Sequence, residues 1–294
     1  MSASPADLQL QVFVSPTHPI GNDGLTFSPT TSTLIYGERE AILVDAQFIK
    51  NDIVELGNLI EELGRTLTTI FITHGHADHY YGIDLLAERF PGVRVVATAK
   101  VVADIVERGQ QDLATFSAWF GDNLVVPTSV PEPLEDDGLV LEGHRLQVID
   151  VDQADISPSS ALYVPQLGAV IAGDLVYNEI HQMLALTGPA EWTRWAASVD
   201  DIAALQPRTV VAGHKKPEAS DDDGETILAS TKKYILDFAR IAEAAPSPEG
   251  IINAMQELYP DHGNFTTLLV SAGAAKTAAT LSDLADPASV VADQ

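Results

Sequence analysis

The chain has 294 residues, 46% of them hydrophobic, enough for one large layered domain or two small ones and too apolar for global disorder. Sixteen basic against 42 acidic residues leave a net charge of −26, which repels phosphate backbones and anionic lipid headgroups and makes nucleic acid and membrane surfaces poor partners. With no cysteine, disulfides, thiolate metal ligands and a cysteine nucleophile are excluded. Met1–Asp7 carries neither the basic nor the apolar segment of a signal peptide. No apolar run approaches the roughly 20 residues that span a bilayer, so a soluble, cytoplasmic protein is expected.

In chain order, Leu8–Val14, Ser32–Tyr36 and Ala41–Val44 read as an opening antiparallel set, with Gly37-Glu38-Arg39 as a hairpin turn. Asn51–Leu63 has helical apolar spacing (Ile53, Leu56, Leu59, Ile60, Leu63), and Gly64 follows as a stop. Leu67–Ile72 is a buried strand, Gly82–Phe90 a short helix, Val93–Ala97 a strand and Lys100–Phe120 mostly helix. Pro127–Asp137, rich in proline and acidic residues, reads as a surface loop. Arg145–Val151, Ser160–Val164 and Ala169–Ala172 form a second run of strands, followed by the helix Trp192–Leu205 and the strand Thr209–Val211. After Asp221-Asp222-Asp223-Gly224 the reading is helical throughout: Thr226–Ala244, Pro248–Leu258 and Asn264–Leu284. The pattern predicts an α+β fold, a four-layer sandwich with a helical extension, divided into residues 1–220 and 221–294.

The strongest chemical signal is Thr73-His74-Gly75-His76-Ala77-Asp78-His79, directly after the strand ending at Ile72. Three imidazoles and a carboxylate fall within six residues. A strand or helix would spread them apart, whereas a loop at a strand end can turn them toward one point. Imidazole with carboxylate suits zinc or another borderline divalent ion. Gly173-Asp174 and Gly213-His214 also follow apolar strands; each reads either as a plain turn or as part of the same site. No Gly-x-Ser-x-Gly elbow and no Gly-rich phosphate loop is present.

The segment His74–His79 resembles the His-x-His-x-Asp-His signature of the metallo-β-lactamase fold superfamily. Ala41-Ile42-Leu43-Val44-Asp45, Gly173-Asp174 and Gly213-His214 follow that family's order, so the resemblance runs from about Leu8 to Lys216. It implies an αββα sandwich with metals at one edge between two sheets. It further implies His74 and His76 as ligands of a first metal, Asp78, His79 and His214 as ligands of a second, and Asp174 as the bridging carboxylate.

The family supplies one more histidine to the first metal, in a Gly-His pair before the bridging Asp. Here that stretch is Val148-Ile149-Asp150-Val151-Asp152-Gln153-Ala154-Asp155. The pair is read as Asp152-Gln153, making Gln153 a weak first-site ligand, with Asp152 or Asp155 as alternatives. One or two divalent ions are expected, zinc foremost, the first held weakly. The function implied is attack of a metal-bound hydroxide on an ester, lactone, thioester or amide carbonyl of a small molecule, with Asp78 and Asp174 catalytic. The alternative is a degenerate, metal-poor member that binds a ligand without efficient hydrolysis. Tyr177, His181 and Lys215 lie close enough in sequence to these ligands to contact substrate. Gly21–Thr30, the segment around Trp119 and the C-terminal helices are expected to shape the cleft, and a homodimer is compatible with the buried helical face of Tyr234, Ile235, Phe238 and Ile241.

Overall fold

Alternation of apolar side chains along the strands builds two sheets that share one core. A computed structural model describes residues 7–21, 24–135 and 138–277, apart from the side chains of 110–112. The chain runs β1 (Gln9–Val14), β2 (His18–Ile20), β3 (Leu25–Phe27), β4 (Thr31–Tyr36), β5 (Glu40–Val44), α1 (Lys50–Leu63), β6 (Thr66–Ile72), α2 (Ala77–Tyr80), α3 (Ile83–Arg89), β7 (Arg94–Ala97), α4 (Ala99–Phe120) and β8 (Glu132–Pro133). It continues through β9 (Gly138–Leu141), β10 (His144–Val151), β11 (Ser159–Val164), β12 (Ala169–Ile171), β13 (Tyr177–Asn178), α5 (Pro189–Ala203), β14 (Thr209–Val211), β15 (His214–Lys215), α6 (Gly224–Ala244), α7 (Pro248–Leu258) and α8 (Phe265–Lys276). One sheet has the order β1-β4-β5-β6-β7-β8 and the other β14-β12-β11-β10-β9.

Side chains two apart on a strand share a face. Ile42, Val44 and Phe71 of the first sheet therefore meet Leu162, Ile171 and Val211 of the second in the central core. Their neighbours Ala41, Leu43, Ile70 and Ile72 point the other way, onto Ile53, Leu56, Leu86 and Val101 of α1, α3 and α4. Across the molecule, Ala161, Val170 and Val210 turn outward onto Trp195 and Val199 of α5 and Ile235 and Phe238 of α6. The result is helix, sheet, sheet, helix, the expected αββα sandwich. Each fully buried Leu, Ile, Val or Phe in these layers contributes about 1.5–3 kcal/mol.

The C-terminal helices complete the outer helical layer of the second sheet. Trp192 of α5 meets Phe238 of α6 edge-on at 5.3 Å, and α7 and α8 add Ile251, Met255 and Leu268 to the same cluster. Residues on both sides of position 220 thus contribute to one cluster.

Several local expectations change. Within the expected loop Pro127–Asp137, Glu132-Pro133 pairs in parallel with Val96-Ala97 at the sheet edge, where a proline without an N–H is tolerated. The hairpin of β2 and β3 is absent from the sequence reading because its three-residue strands are too short to show alternation. The last helix spans Phe265–Lys276; the rest of the expected Asn264–Leu284 from residue 278 onward lies outside the described residues. No described helix is long and apolar enough to cross a membrane.

Candidate metal centre

Strand β6 delivers the histidine motif, and its parallel neighbour β5 delivers the residue that orients it. Asp45, just past β5 with φ of 61°, accepts the Thr73 N–H at Oδ1 and the Thr73 hydroxyl at Oδ2, both at 2.9 Å. Its Oδ2 also takes His79 Nδ1 at 2.8 Å. Since the Thr73 hydroxyl proton is committed to Asp45, Thr73 Oγ1 accepts from His74 Nδ1 at 2.9 Å. In both rings the Nδ1 proton is engaged, and Nε2 is the nitrogen presented to the site. Buried His74 Nε2 has no hydrogen-bond partner, and His79 Nε2 faces the carboxylates of Asp78 and Asp174.

The second sheet supplies the opposite wall. Strands β12 and β14 are parallel neighbours, with Ile171 opposite Val211, so Asp174 and His214 emerge side by side at their C-terminal ends. Gly213 is obligatory there: a Cβ would lie 2.0 Å from Asp174 Oδ1 and 2.7 Å from the Gly173 carbonyl carbon. Asp174 stands between the two halves of the centre. Its Oδ1 is 3.1 Å from His79 Nε2, and its Oδ2 is 3.2 Å from His214 Nε2 and 3.9 Å from His74 Nε2. Tyr177 donates to Asp174 Oδ2 at 2.8 Å and stacks on His214 at 5.4 Å. His214 Nδ1 donates to the Pro29 carbonyl at 3.0 Å, while its Nε2 is 3.3 Å from Asp78 Oδ2. Thr30 donates to that same Asp78 oxygen at 3.1 Å.

The side chain that converges with His74, His76 and Asp174 is that of Asp155, not that of Gln153. Asp155 Oδ2 lies 2.9 Å from His76 Nδ1, and His74, His76, Asp155 and Asp174 converge as one buried group, with Asp78, His79 and His214 as a second. Gln153 is bonded elsewhere: its Nε2 donates to the Ala154 carbonyl at 3.0 Å, and its Oε1 accepts from Arg194 at 2.8 Å. Asp152 is excluded as well, since its side chain is 67% exposed against 1% for Asp155. Reading Asp152-Gln153 as the family pair stops two residues short, because the chain runs on past the end of β10 before it reaches the site. A usable signal is present in the sequence: Ala154-Asp155 repeats the small-residue-then-ligand arrangement of Gly173-Asp174 and Gly213-His214.

Of the three residues expected to contact substrate, Lys215 and His181 are not among the residues that line the cleft. Lys215 is buried, and its Nζ is held by both oxygens of Asp221 at 2.7 Å. His181 is drawn toward the turn before α8 by its N–H to the Gly263 carbonyl, and its Nδ1 meets the Tyr234 hydroxyl at 2.9 Å. Burial and neighbouring His262 push its pKa down to about 4, so it stays neutral among helices. Tyr177 does line the cleft, and burial, with Asp174 beside it, raises its phenol well above the usual range.

The charges of the centre are tightly interlocked. Burial alone would lower the His214 pKa, but Asp174 and Asp78 outweigh it and raise the value to about 10. His79 is likewise raised well above its ordinary value, burial being overcome by Asp78, Asp174 and Asp45. Burial, then the charge of His79, holds His74 well below it. Burial opposes ionisation of Asp78 and Asp174, yet the facing imidazoles hold both well below the usual carboxylate range. Burying this many ionisable groups is costly unless each is compensated. Four imidazoles and three carboxylates, with Nε2 of His74 unpartnered, form a donor set that fits divalent metal ions.

The centre opens into a cleft. Its walls are Ile20, Thr26 and Phe27 around the β2–β3 hairpin, Phe116 and Trp119 of α4, Met183 and Leu186, and Thr266, Thr267 and Val270 of α8. All three segments expected to shape the cleft therefore do so. Among the described residues, its lining includes neither lysine nor arginine.

Residues 25–214 match the family model of the metallo-beta-lactamase superfamily. The metallo-beta-lactamase family protein TTHA1429 of Thermus thermophilus is similar in structure, with a TM-score of 0.59 at 20% identity over 90% of this chain and 91% of that one. A metallo-beta-lactamase from Pontibacter korlensis gives a TM-score of 0.57 at 19% identity, covering 77% of this chain and 99% of its own. In sequence, Bacillus subtilis (strain 168) YobT is 31% identical over 72 residues, 24% of this chain and 30% of YobT, so the shared segment spans under a third of that relative. The family match takes in the histidine motif, Asp155, Asp174 and His214, and this chain belongs to the metallo-beta-lactamase superfamily.

Proposed function

We propose that the chain is a metal-dependent hydrolase of neutral esters or lactones with an apolar acyl portion. The observation that carries this reading is the union of a seven-residue divalent donor set with a cleft walled by Phe27, Phe116, Trp119 and Val270 and lined, among the described residues, by no lysine or arginine. An anionic conjugate entering this cleft would meet carboxylates and no cationic anchor along its walls, at a cost in desolvation. An apolar acyl chain would instead gain about 25 cal/mol for each Å² it buries.

His74, His76, Asp155 and Asp174 would hold one ion, and Asp78, His79, His214 and Asp174 the other. When bound, such an ion supplies Lewis acidity, polarising a carbonyl and lowering the pKa of water from about 16 toward 7. The chain's own groups do the rest. Asp78 orients the attacking water or passes its proton to the leaving group. Tyr177, protonated at neutral pH, holds Asp174 in place through its hydroxyl. Phe27, Phe116 and Trp119 position the acyl chain and keep bulk water from it.

The degenerate alternative depended on Gln153 standing at a ligand position; the bonds of Gln153 to Arg194 and Ala154 favour the hydrolase reading over it. The reading is tested by hydrolysis of a series of p-nitrophenyl esters and acylated lactones of rising chain length, beside an anionic thioester. Chelator-sensitive turnover that rises with acyl length is expected. Preference for the anionic thioester would contradict the substrate class.

A further inference from the structure

Asp155 makes the two halves of the metal centre chemically alike. In the first half, His74 and His76 bring two imidazoles and Asp155 a carboxylate; in the second, His79 and His214 bring two imidazoles and Asp78 a carboxylate. Asp174 lies between them, with contacts of 3.1 Å to His79, 3.2 Å to His214 and 3.9 Å to His74. The family resemblance implies three imidazoles in the first half, an asymmetric and softer arrangement. Here one neutral, borderline nitrogen donor is exchanged for a hard, anionic oxygen donor.

We propose that Asp155 sets metal choice: by matching the two half-sites at two imidazoles, one private carboxylate and one shared carboxylate, it moves the centre from zinc toward a harder divalent ion, manganese(II) or ferrous iron, bound at both positions. Two arguments converge on this. Nitrogen-rich, low-coordinate sets suit zinc, whereas added carboxylate oxygen favours ions that accept more and harder ligands. The four imidazoles in turn disfavour magnesium and calcium, which take oxygen donors. Charge bears on the filling of both positions, whichever divalent ion is bound. Asp78, Asp155 and Asp174 bring three negative charges to a buried site facing two divalent ions, so the second ion enters against less net repulsion than with a neutral ligand at position 155. Manganese lies below zinc in intrinsic affinity for a given site, so the consequence is a change in the ratio of the two affinities rather than a reversal of their order.

The inference rests on the metal-dependent reading above, and binding measurements without turnover separate the two. Wild type, Asp155→His and Asp155→Glu are stripped by chelation and titrated separately with zinc and with manganese. Stoichiometry is followed by native mass spectrometry, and manganese pairing by electron paramagnetic resonance. Wild type is expected to take two equivalents of manganese and give the spectrum of an exchange-coupled pair. Asp155→His should raise the zinc-to-manganese affinity ratio by about tenfold or more, whereas Asp155→Glu, which keeps the carboxylate, should stay within about threefold of wild type. An unchanged ratio in Asp155→His overturns the inference. So does a wild type that takes two zinc but one manganese, which decides the matter even if the histidine variant does not fold. A wild type that binds neither ion refutes the metal-dependent reading itself.

Discussion

Asp45 Oδ2 and His79 Nδ1 lie 2.8 Å apart, and this contact sets which nitrogen of His79 faces the metal centre. The same carboxylate fixes Thr73, and through it His74, so one buried residue at the end of β5 orients an imidazole in each of the two buried groups. Asp45→Ala is expected to leave the fold intact and weaken metal binding by about 10–100-fold, as loss of an orienting partner does elsewhere. Chelator competition measures it. An unchanged affinity would mean that the imidazoles are held by packing alone.

The ligands themselves are ranked by how many others they face. His79→Ala and His214→Ala should each remove the second ion and leave the first. Asp174→Ala should reduce both and lower activity by orders of magnitude, because Asp174 stands between the halves and offsets the repulsion of two cations. Metal stoichiometry by mass spectrometry distinguishes the three variants. Gly213→Ala should resemble Asp174→Ala although it replaces none of the donor residues, since its Cβ would fall 2.0 Å from Asp174 Oδ1 and displace it.

Positions 153 and 155 give a direct contrast. Gln153→Ala loses bonds to Arg194 and Ala154 and should cost about 1–3 kcal/mol of stability, with metal content preserved. Asp155→Ala should lower first-site occupancy. Equal metal loss in both would return Gln153 to the ligand set.

Protons and metal ions compete for the same nitrogens. In the metal-free chain, His214, raised to about 10 by Asp174 and Asp78, is protonated at neutral pH, as is His79. Metal binding at the half-site of His79 and His214 must displace these protons, so affinity there should rise with pH through the neutral range and filling it should release protons. Calorimetry in buffers of different ionisation enthalpy reads that release. Metal-free stability should behave oppositely. A raised imidazole pKa stabilises the fold fully below the unfolded value of 6.5 and loses that contribution as pH climbs through about 10. Melting of the metal-free chain across that window checks the sign.

Much of this is legible in the residues themselves. Alternation such as Ile42 inward and Leu43 outward is the four-layer sandwich written along one strand, and His74–His79 announces a metal loop because no regular element could gather those side chains. The losses share a cause: sequence distance does not reveal direction. His214 and Lys215 are neighbours, but on the short strand β15 successive side chains oppose each other, so His214 enters the centre while Lys215 turns to Asp221. Asp155 is hidden by the length of chain beyond β10, and Asp45 by a role that exists only through its contacts with Thr73 and His79.

Hydrolysis should depend on metal held by the buried donor set. The most direct test is metal content by elemental analysis, paired with hydrolysis of a neutral acyl ester, for wild type, chelated wild type, the chelated protein after metal return, and Asp174→Ala. Metal and activity are expected to be present together, both lost on chelation, both restored on return, and neither recovered in Asp174→Ala. Full ester hydrolysis by metal-free protein, or full metal content and turnover in Asp174→Ala, would contradict that dependence.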